Sequence, residues 1–192
     1  MSNYRGMTLD EEVSRMHKLM MVEGYDQHNL TLPEIQNILS NVMDDKNMAM
    51  RLAPVCLAQI QVESGGNPNI VSRDGYGSVG ILQLLPGTAI DLGYNPNDRL
   101  DVNKNIEMYG KYMNKYKPAN EEQAARMWNG GPKGYTKPAT AQYWQKVQSV
   151  MAKQGNSIAI TGGAQNGGFF SNLTGGQNSG NWLTNFFSGL FG

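Results

Sequence analysis

The chain has 192 residues, of which 40% are hydrophobic, and its 16 basic side chains balance its 16 acidic ones. This length fits one domain with accessory segments, and the hydrophobic fraction is sufficient for a packed core. Because the net charge is zero, no overall field favours nucleic acid as a partner, and the single cysteine, Cys56, excludes an internal disulfide.

The charge is unevenly distributed along the chain. Residues 101–153 carry nine basic and four acidic side chains, whereas residues 154–192 carry none. The basic segment fits affinity for an anionic polymer such as a cell wall, and it fits a solvated helical face equally well.

The N-terminus and the hydropathy pattern bear on targeting. The stretch MSNYRGMTLDEE has no apolar region and becomes acidic at once, so we expect no signal peptide. No run of about 18 apolar residues is present, so no membrane-spanning helix is predicted.

Apolar residues at helical spacing predict a mainly helical chain. Thr31 and Glu34 form a capping-box pattern, and Asn120 is a second predicted N-cap. Pro54 lies inside the third helix and predicts a kink or a late start. Residues 64–85 are rich in Gly, Ser and Asn and predict a loop with a short extended piece at VGILQLL. The predicted helices cover residues 8–24, 31–42, 47–63, 86–93, 101–116, 120–129 and 138–153.

These patterns divide the chain into three parts. Residues 1–45 are expected to be a helical extension packed on the next part, because its apolar stripes offer too little core to fold alone. Residues 46–153 hold the remaining helices and form the main domain. Residues 154–192 form an uncharged tail rich in Gly, Asn and Ser. Its apolar, aromatic end, NWLTNFFSGLFG, fits an interfacial helix and also fits a disordered segment.

The third predicted helix ends in a carboxylate on its apolar face. That face consists of Leu52, Val55, Cys56, Gln59, Ile60 and Glu63. Burial raises a carboxyl pKa, the helix dipole acts in the same direction, and no Lys or Arg lies three or four positions from Glu63. Glu63 therefore resembles the general acids of sugar-cleaving enzymes, which keep their proton near neutral pH. The same spacing also fits a helix that simply ends in a polar residue.

Five motifs follow one another between about Asn47 and Lys153. They are ESGGNP, GILQLLPGTAIDLG, NKNIEMYGKYMNKY, ARMWNGGP and TAQYWQKV. Together they resemble the soluble lytic transglycosylase (SLT) domain, which belongs to the lysozyme-like superfamily and is close to goose-type lysozymes. The resemblance implies a mainly α, lysozyme-like helical domain with a small β-hairpin or loop region lining a cleft.

The resemblance also implies a function for the domain. It implies a murein lytic transglycosylase, which cleaves the β-1,4 bond between N-acetylmuramic acid and N-acetylglucosamine in peptidoglycan and locally opens the bacterial wall. Residues 46–153 would be the catalytic domain, and we expect the tail after Lys153 to be dispensable for cleavage.

The matched motifs assign roles to individual residues. Glu63 matches the catalytic acid/base, and Tyr143 matches a tyrosine that approaches it. The candidate substrate-binding residues are Ser64, Gly80, Gln83, Trp128, Asn129 and Tyr143. Trp128 replaces a family tyrosine, which removes a hydroxyl but keeps a ring that can stack on a sugar. The loop SRDGYGSVG is longer than the usual form.

Several of these residues also fit purely structural roles. Trp128 and Tyr143 fit core aromatics, and Gln83 fits an ordinary loop amide. Asn129 fits a helix cap before Gly130.

The resemblance implies a reaction that needs no metal and no other cofactor. Glu63 would protonate the glycosidic oxygen while the N-acetyl oxygen of the substrate supports the anomeric carbon. Glu63 would then deprotonate the sugar 6-hydroxyl and give a 1,6-anhydro product. A hydrolytic lysozyme is the alternative on the same fold, and Asp74 is the candidate second carboxylate.

Two further functions are open. A peptidase that cuts the peptide stems of the same polymer is poorly supported, because His17 and His28 form no HExxH pattern and Cys56 lies on an apolar helix face. A wall-binding or virion structural module is the non-enzymatic alternative, and the retained Glu63 and Gln83 argue against it.

The expected partner is the glycan strand of peptidoglycan. With no signal peptide expected, we predict a phage-encoded protein that is associated with the virion or released at lysis and acts on the host cell wall or periplasm. Export by a dedicated secretion machine is the alternative. The tail after Lys153 is the candidate contact with a membrane or a virion protein.

Overall fold

The computed structural model describes residues 29–72 and 75–160. The predicted helix at residues 8–24 lies outside the described residues, and so do Asp74 and the end of the tail, residues 161–192. The elements in chain order are β1 (Asn29–Thr31), α1 (Leu32–Val42), α2 (Lys46–Glu63), α3 (Pro86–Asp91), a 3-10 helix (Pro96–Leu100), α4 (Val102–Tyr116), α5 (Glu121–Gly130), a second 3-10 helix (Gly134–Thr136), α6 (Ala139–Met151) and β2 (Ser157–Ala159).

The predicted helix starts are confirmed by their capping contacts. The Glu34 carboxylate accepts hydrogen bonds of 2.7 Å from both the backbone N–H and the hydroxyl of Thr31. The Asn120 side chain accepts from the backbone of Gln123 at 2.9 Å. Helix α2 continues through Pro54 and begins at Lys46, so the proline does not delay its start.

Helix α2 is the centre of the fold, since it contacts α1, α4, α5, α6 and β2. One of its sides enters the main core, and the other enters a second apolar cluster against α5 and α6. The second cluster consists of Val55, Ala58, Val62, Ala125, Tyr143, Val147 and Val150. The helix is therefore buried on both sides, whereas its sequence predicted one apolar face.

Two short strands from distant parts of the chain form an antiparallel sheet that the sequence did not predict. Leu30 pairs with Ile158, and both side chains are buried in the main core together with Ile160. Strand β2 also packs on the turn that follows α2, because a Cβ added to Gly66 would collide with the backbone carbonyl of Ala159. The start of the predicted tail is thus part of the packed domain.

The predicted loop after α2 contains isolated β-bridges and is held by a buried arginine. Val79 bridges both Val71 and Leu84. The Arg99 side chain is 2% exposed, and its guanidinium donates to the carbonyls of Gly77 at 2.7 Å and Leu84 at 2.9 Å. A buried cation needs such acceptors because it has left water, so the loop and Arg99 stabilise one another.

Across residues 29–72 and 75–160, no helix is long and apolar enough to cross a bilayer. Residues 29–45 pack on the main domain through β1 and α1, which contacts both α2 and α4. The division into an extension, a catalytic domain and a tail stays a prediction.

The contacts of β2 lead to a prediction about truncation. A chain ending at Lys153 loses the burial of Ile158 and Ile160, and we expect it to be at least about 3 kcal/mol less stable than a chain ending at Ile160. Urea denaturation of the two truncated chains measures this difference. The chain ending at Ile160 is the matched control, because it lacks the same residues after position 160. Equal midpoints would contradict the role of β2 in the core.

A second prediction concerns the turn after α2. Gly65 and Gly66 both have positive φ, at 63° and 83°, so alanine strains the backbone at either position. Only at Gly66 would the new Cβ also meet the backbone of β2. We expect Gly65→Ala to cost about 1–2 kcal/mol and Gly66→Ala clearly more, measured by thermal or urea unfolding. Similar losses for the two variants would show that β2 does not hold this turn.

Candidate active site

Glu63 is the last residue of α2, and its carboxyl contacts a tyrosine of α6. The Tyr143 hydroxyl donates a 2.6 Å hydrogen bond to Glu63 Oε1. Tyr143 is 3% exposed, whereas Glu63 keeps partial access to solvent. The arrangement leaves a carboxyl that is largely enclosed by protein and still reachable from outside.

The surroundings of Glu63 shift its proton affinity towards neutral pH. Burial raises the pKa of Glu63 from its ordinary value of 4.5 to about 7, against the hydrogen bond from Tyr143 and the positive charge of Lys146, which both lower it. The desolvation of the carboxylate therefore outweighs the two interactions that favour it. A carboxyl with a pKa near 7 can both donate and accept a proton at neutral pH.

Behind Tyr143 lies a row of buried polar side chains. The Gln59 side-chain amide donates to the Tyr143 hydroxyl oxygen at 3.1 Å, and the Tyr109 hydroxyl donates to Gln59 Oε1 at 2.9 Å. Gln59 and Tyr109 are both fully buried. The row thus runs from α4 through α2 to α6 and ends on the carboxyl of Glu63.

Ser64 lies next to Glu63 but is buried and turned inward. Its hydroxyl lies 2.8 Å from the carbonyl oxygen of Ile81 and 3.1 Å from that of Ile60, and it accepts from the backbone N–H of Gly66 at 3.1 Å. Ser64 therefore joins the end of α2 to the loop that contains Gly80 and Gln83. Its predicted role in substrate binding stays a prediction.

The Gly80–Gln83 segment is tightly constrained. Gly80 has a φ of 82°, and a Cβ there would meet the Arg99 carbonyl and the Asn105 side chain, so only glycine fits. Gln83 also has a positive φ, of 50°, and its side-chain amide donates to the carbonyls of Ile70 at 3.1 Å and Gly80 at 2.9 Å. These contacts within the loop fix its backbone path.

Trp128 and Asn129 lie in the last turn of α5. The Trp128 indole N–H donates to the carbonyl of Leu82 at 3.2 Å, and its ring packs 5.0 Å from that of Tyr109 and 5.4 Å from that of Tyr112. Both Trp128 and Asn129 are half-buried. The helix continues to Gly130, so Asn129 is not its cap.

The predicted site residues thus differ in whether they contact Glu63 or the neighbouring loop. Tyr143 contacts Glu63 directly, while Ser64 and Trp128 hold the Gly80–Gln83 segment from two sides through backbone carbonyls. Gln83 and Trp128 donate their hydrogen bonds to the backbone rather than to Glu63. Asp74 lies outside the described residues, so its predicted role stays a prediction.

Three residues of the site were missing from the sequence-based set. Gln59 carried a signal, because an amide on an otherwise apolar helix face needs a partner when it is buried. Tyr109 gave no separate signal, because it falls at helical spacing with the apolar residues of NKNIEMYGKYMNKY. Lys146 carried no signal, since its proximity to Glu63 depends on how α6 packs against α2.

The donor groups of the domain bear on metal binding and on thiol chemistry. Residues 29–72 and 75–160 contain no group of three or more His, Cys, Asp or Glu side chains that could hold a metal ion. Cys56 is fully buried, and burial raises the pKa of its thiol well above the ordinary value. Such a thiol stays protonated and is a poor nucleophile.

Comparison with known proteins identifies the family. The sequence model of the transglycosylase SLT domain matches residues 41–151, which include Glu63 and Tyr143. A lysozyme from Ostrea edulis is 43% identical over 63 residues, covering 30% of this chain and 43% of that protein. A lysozyme from Magallana gigas is 34% identical over 112 residues, covering 50% of this chain and 78% of that protein. No solved structure matches the chain. Because the family model spans more than half of its length, the chain belongs to the transglycosylase SLT family of lysozyme-like enzymes.

Proposed function

We propose that the chain is a peptidoglycan lytic transglycosylase in which Glu63 acts first as acid and then as base. The observation that carries the proposal is the environment of Glu63, whose partly accessible carboxyl has a pKa of about 7 and is held by Tyr143. One group can serve both proton transfers when its pKa lies near the working pH. The family membership supports peptidoglycan as the substrate.

The proposed reaction cleaves the β-1,4 bond between N-acetylmuramic acid and N-acetylglucosamine. Protonated Glu63 gives its proton to the glycosidic oxygen, which leaves with the bonding electron pair. The N-acetyl oxygen of the substrate supports the positive anomeric carbon. The carboxylate of Glu63 then takes the proton of the 6-hydroxyl, whose oxygen closes the 1,6-anhydro ring. Glu63 ends protonated, and no water is consumed.

A hydrolytic lysozyme is the second candidate, because both of the relatives described above are lysozymes. In that reaction water attacks the anomeric carbon, and a second carboxylate positions the water or stabilises the charge. Asp74 is the candidate for that group. A stem peptidase has less support, since Cys56 is buried and protonated and the described residues hold no group of metal ligands.

The place of action is also a proposal. Action on the host wall, by a protein carried in a phage particle or released at lysis, rests on the sequence features alone. Contact of the apolar tail end with a membrane or a virion protein concerns residues outside the described ones.

We expect Glu63→Gln to abolish cleavage almost completely. The amide cannot donate or accept the required protons, and general acid–base catalysis contributes about 10² to 10⁴-fold. Release of soluble fragments from purified wall measures the loss. Glu122→Gln is the matched control, because it removes an exposed carboxylate from a surface ion pair with Arg126 and should leave activity intact.

The pH dependence of the folding stability of Glu63→Gln shows whether this variant is folded. The raised pKa means that the stability contributed by protonated Glu63 is full below about pH 4.5 and is lost as the pH rises through about 7. Glu63→Gln does not ionise, so it should gain stability relative to the wild type above pH 7. A folded Glu63→Gln variant that still cleared purified wall would rule out the proposed role.

We expect Asp74→Asn to separate the two candidate reactions. Its activity should stay near that of the wild type if the N-acetyl group supports the anomeric carbon, and should fall as far as in Glu63→Gln if Asp74 positions a water. Mass spectrometry of the fragments gives an independent answer, because an anhydro end is one water lighter than a reducing end. Reducing ends together with an inactive Asp74→Asn would establish the hydrolytic lysozyme.

A further inference from the structure

The row of polar side chains behind Glu63 is unusual for an apolar core. Gln59 and Tyr109 are fully buried, and Tyr143 is 3% exposed. They come from three helices, α2, α4 and α6, and their three hydrogen bonds end on Glu63 Oε1. A buried polar group without a partner costs about 1–3 kcal/mol, so each member depends on the next one.

The direction of these hydrogen bonds is set by the acceptor of the Tyr109 proton, which is Gln59 Oε1. A tyrosine hydroxyl has one proton, whereas a glutamine side chain has a carbonyl that only accepts and an amide that only donates. Because Tyr109 donates to Gln59 Oε1, the amide of Gln59 is the group that faces Tyr143. The oxygen of Tyr143 then accepts from this amide, and its single proton is directed to Glu63.

Without Tyr109, the orientation of the Gln59 side chain is no longer fixed. The amide group could rotate by half a turn and present its carbonyl to Tyr143, which would then donate to Gln59. The oxygen of Tyr143 would face Glu63 as an acceptor and hold a proton on Glu63 Oε1. In that arrangement the acid hydrogen of Glu63 is bound inside the protein rather than offered to a substrate.

We propose that Tyr109 is a positioning residue. It holds the carbonyl of Gln59, so that the Gln59 amide faces Tyr143, Tyr143 donates to Glu63 Oε1, and the transferable proton of Glu63 stays on Oε2. This role rests on the proposed function, in which Glu63 is the acid and base. Neither Gln59 nor Tyr109 is exposed, so neither contacts the substrate. Their effect reaches the reaction only through Tyr143 and Glu63.

Neither Gln59→Leu nor Tyr109→Phe removes a charged group near the row. Lys146, on the same helix as Tyr143, acts on Glu63 through its charge. On α2, the positions three and four residues before Glu63 are Ile60 and Gln59, which carry no charge. Cys56 of α2 faces Tyr109 and stays protonated. A change that follows Gln59 or Tyr109 therefore does not come from the loss of a charge.

The first test is Tyr109→Phe, which removes one hydroxyl and keeps the ring that packs against Trp128. The released carbonyl of Gln59 should compete for the proton of Tyr143, so that the protonated form of Glu63 gains a hydrogen bond. We expect the pKa of Glu63 to rise by about 0.5–1 unit, as one redirected hydrogen bond allows. The alkaline limb of the kcat/KM profile should shift upward equally, and kcat should fall with KM unchanged.

The decisive test combines this variant with Gln59→Leu. Leucine offers no competing carbonyl, so Tyr143 keeps donating to Glu63, and the pKa of Glu63 should stay near the wild-type value. In the double variant, Tyr109→Phe should therefore produce no shift. An equal shift with and without Gln59 would show that Tyr109 acts through packing, and no shift in Tyr109→Phe alone would equally overturn the proposal.

Tyr112→Phe is the matched control on the same helix. It removes a buried tyrosine hydroxyl that donates to the Met127 carbonyl at 3.1 Å and that takes no part in the row. We expect a loss of thermal stability similar to that of Tyr109→Phe, without a change in the pKa of Glu63. A similar change in the pKa of Glu63 in both variants would mean that losing either buried hydroxyl loosens the core and shifts this pKa. That result would contradict the proposal.

Titration of the Glu63 carboxyl by NMR keeps this proposal separate from the proposed function. The ¹³C signal of Glu63 is assigned by its absence in Glu63→Gln and needs no substrate. If the wild type released nothing from wall while the titration still shifted only in Tyr109→Phe, the proposed function would fail and the positioning role would stand. If cleavage required Glu63 but the titration of Glu63 were unchanged in Tyr109→Phe, the positioning role alone would fail.

Discussion

The hydrogen bond between Tyr143 and Glu63 is the contact on which the rest of the site depends. At 2.6 Å it joins the end of α2 to α6, and it places a neutral donor against a carboxyl that burial would otherwise keep protonated. Desolvation and hydrogen bonding thus act in opposite directions on one group. Their balance leaves the pKa of Glu63 near neutral pH, where a single carboxyl can serve as acid and base.

This balance has a cost in folding stability. Above neutral pH the protein must hold an ionised and poorly hydrated carboxylate at Glu63, which lowers the free energy of unfolding. The core also contains the fully buried amide of Gln59, whose partners must be supplied by Tyr109 and Tyr143. Such features are expected at functional sites, because catalysis and maximal stability favour different side chains.

The loop beside the site is fixed mainly by contacts to its backbone carbonyls. Ser64 reaches the carbonyl of Ile81, Trp128 that of Leu82, and Arg99 those of Gly77 and Leu84. These carbonyl contacts fix the backbone path of the loop, together with Gly80 and the side chain of Gln83.

Local patterns in the sequence were sufficient for the α-helices between residues 32 and 151 and for the position of Glu63. The caps at Thr31 and Asn120 are read from three or four neighbouring residues, and the end of an apolar stripe is enough to place Glu63 at the edge of the core. These features depend on contacts within one or two turns, so the order of residues determines them. The SLT family is likewise indicated by the order of the five motifs, because each motif is a short and contiguous stretch of the chain.

The packing of the helices determines which groups meet Glu63 and what closes the domain. Tyr143 and Lys146 approach Glu63 because α6 packs across α2. Gln59 contacts Tyr109 because α4 packs on the other side of α2. The pairing of Asn29–Thr31 with Ser157–Ala159 has no local signal, since three-residue strands take their register from the partner and the core beneath them. Contacts between residues so far apart in the chain carry no periodicity, and so they become defined only in the tertiary structure.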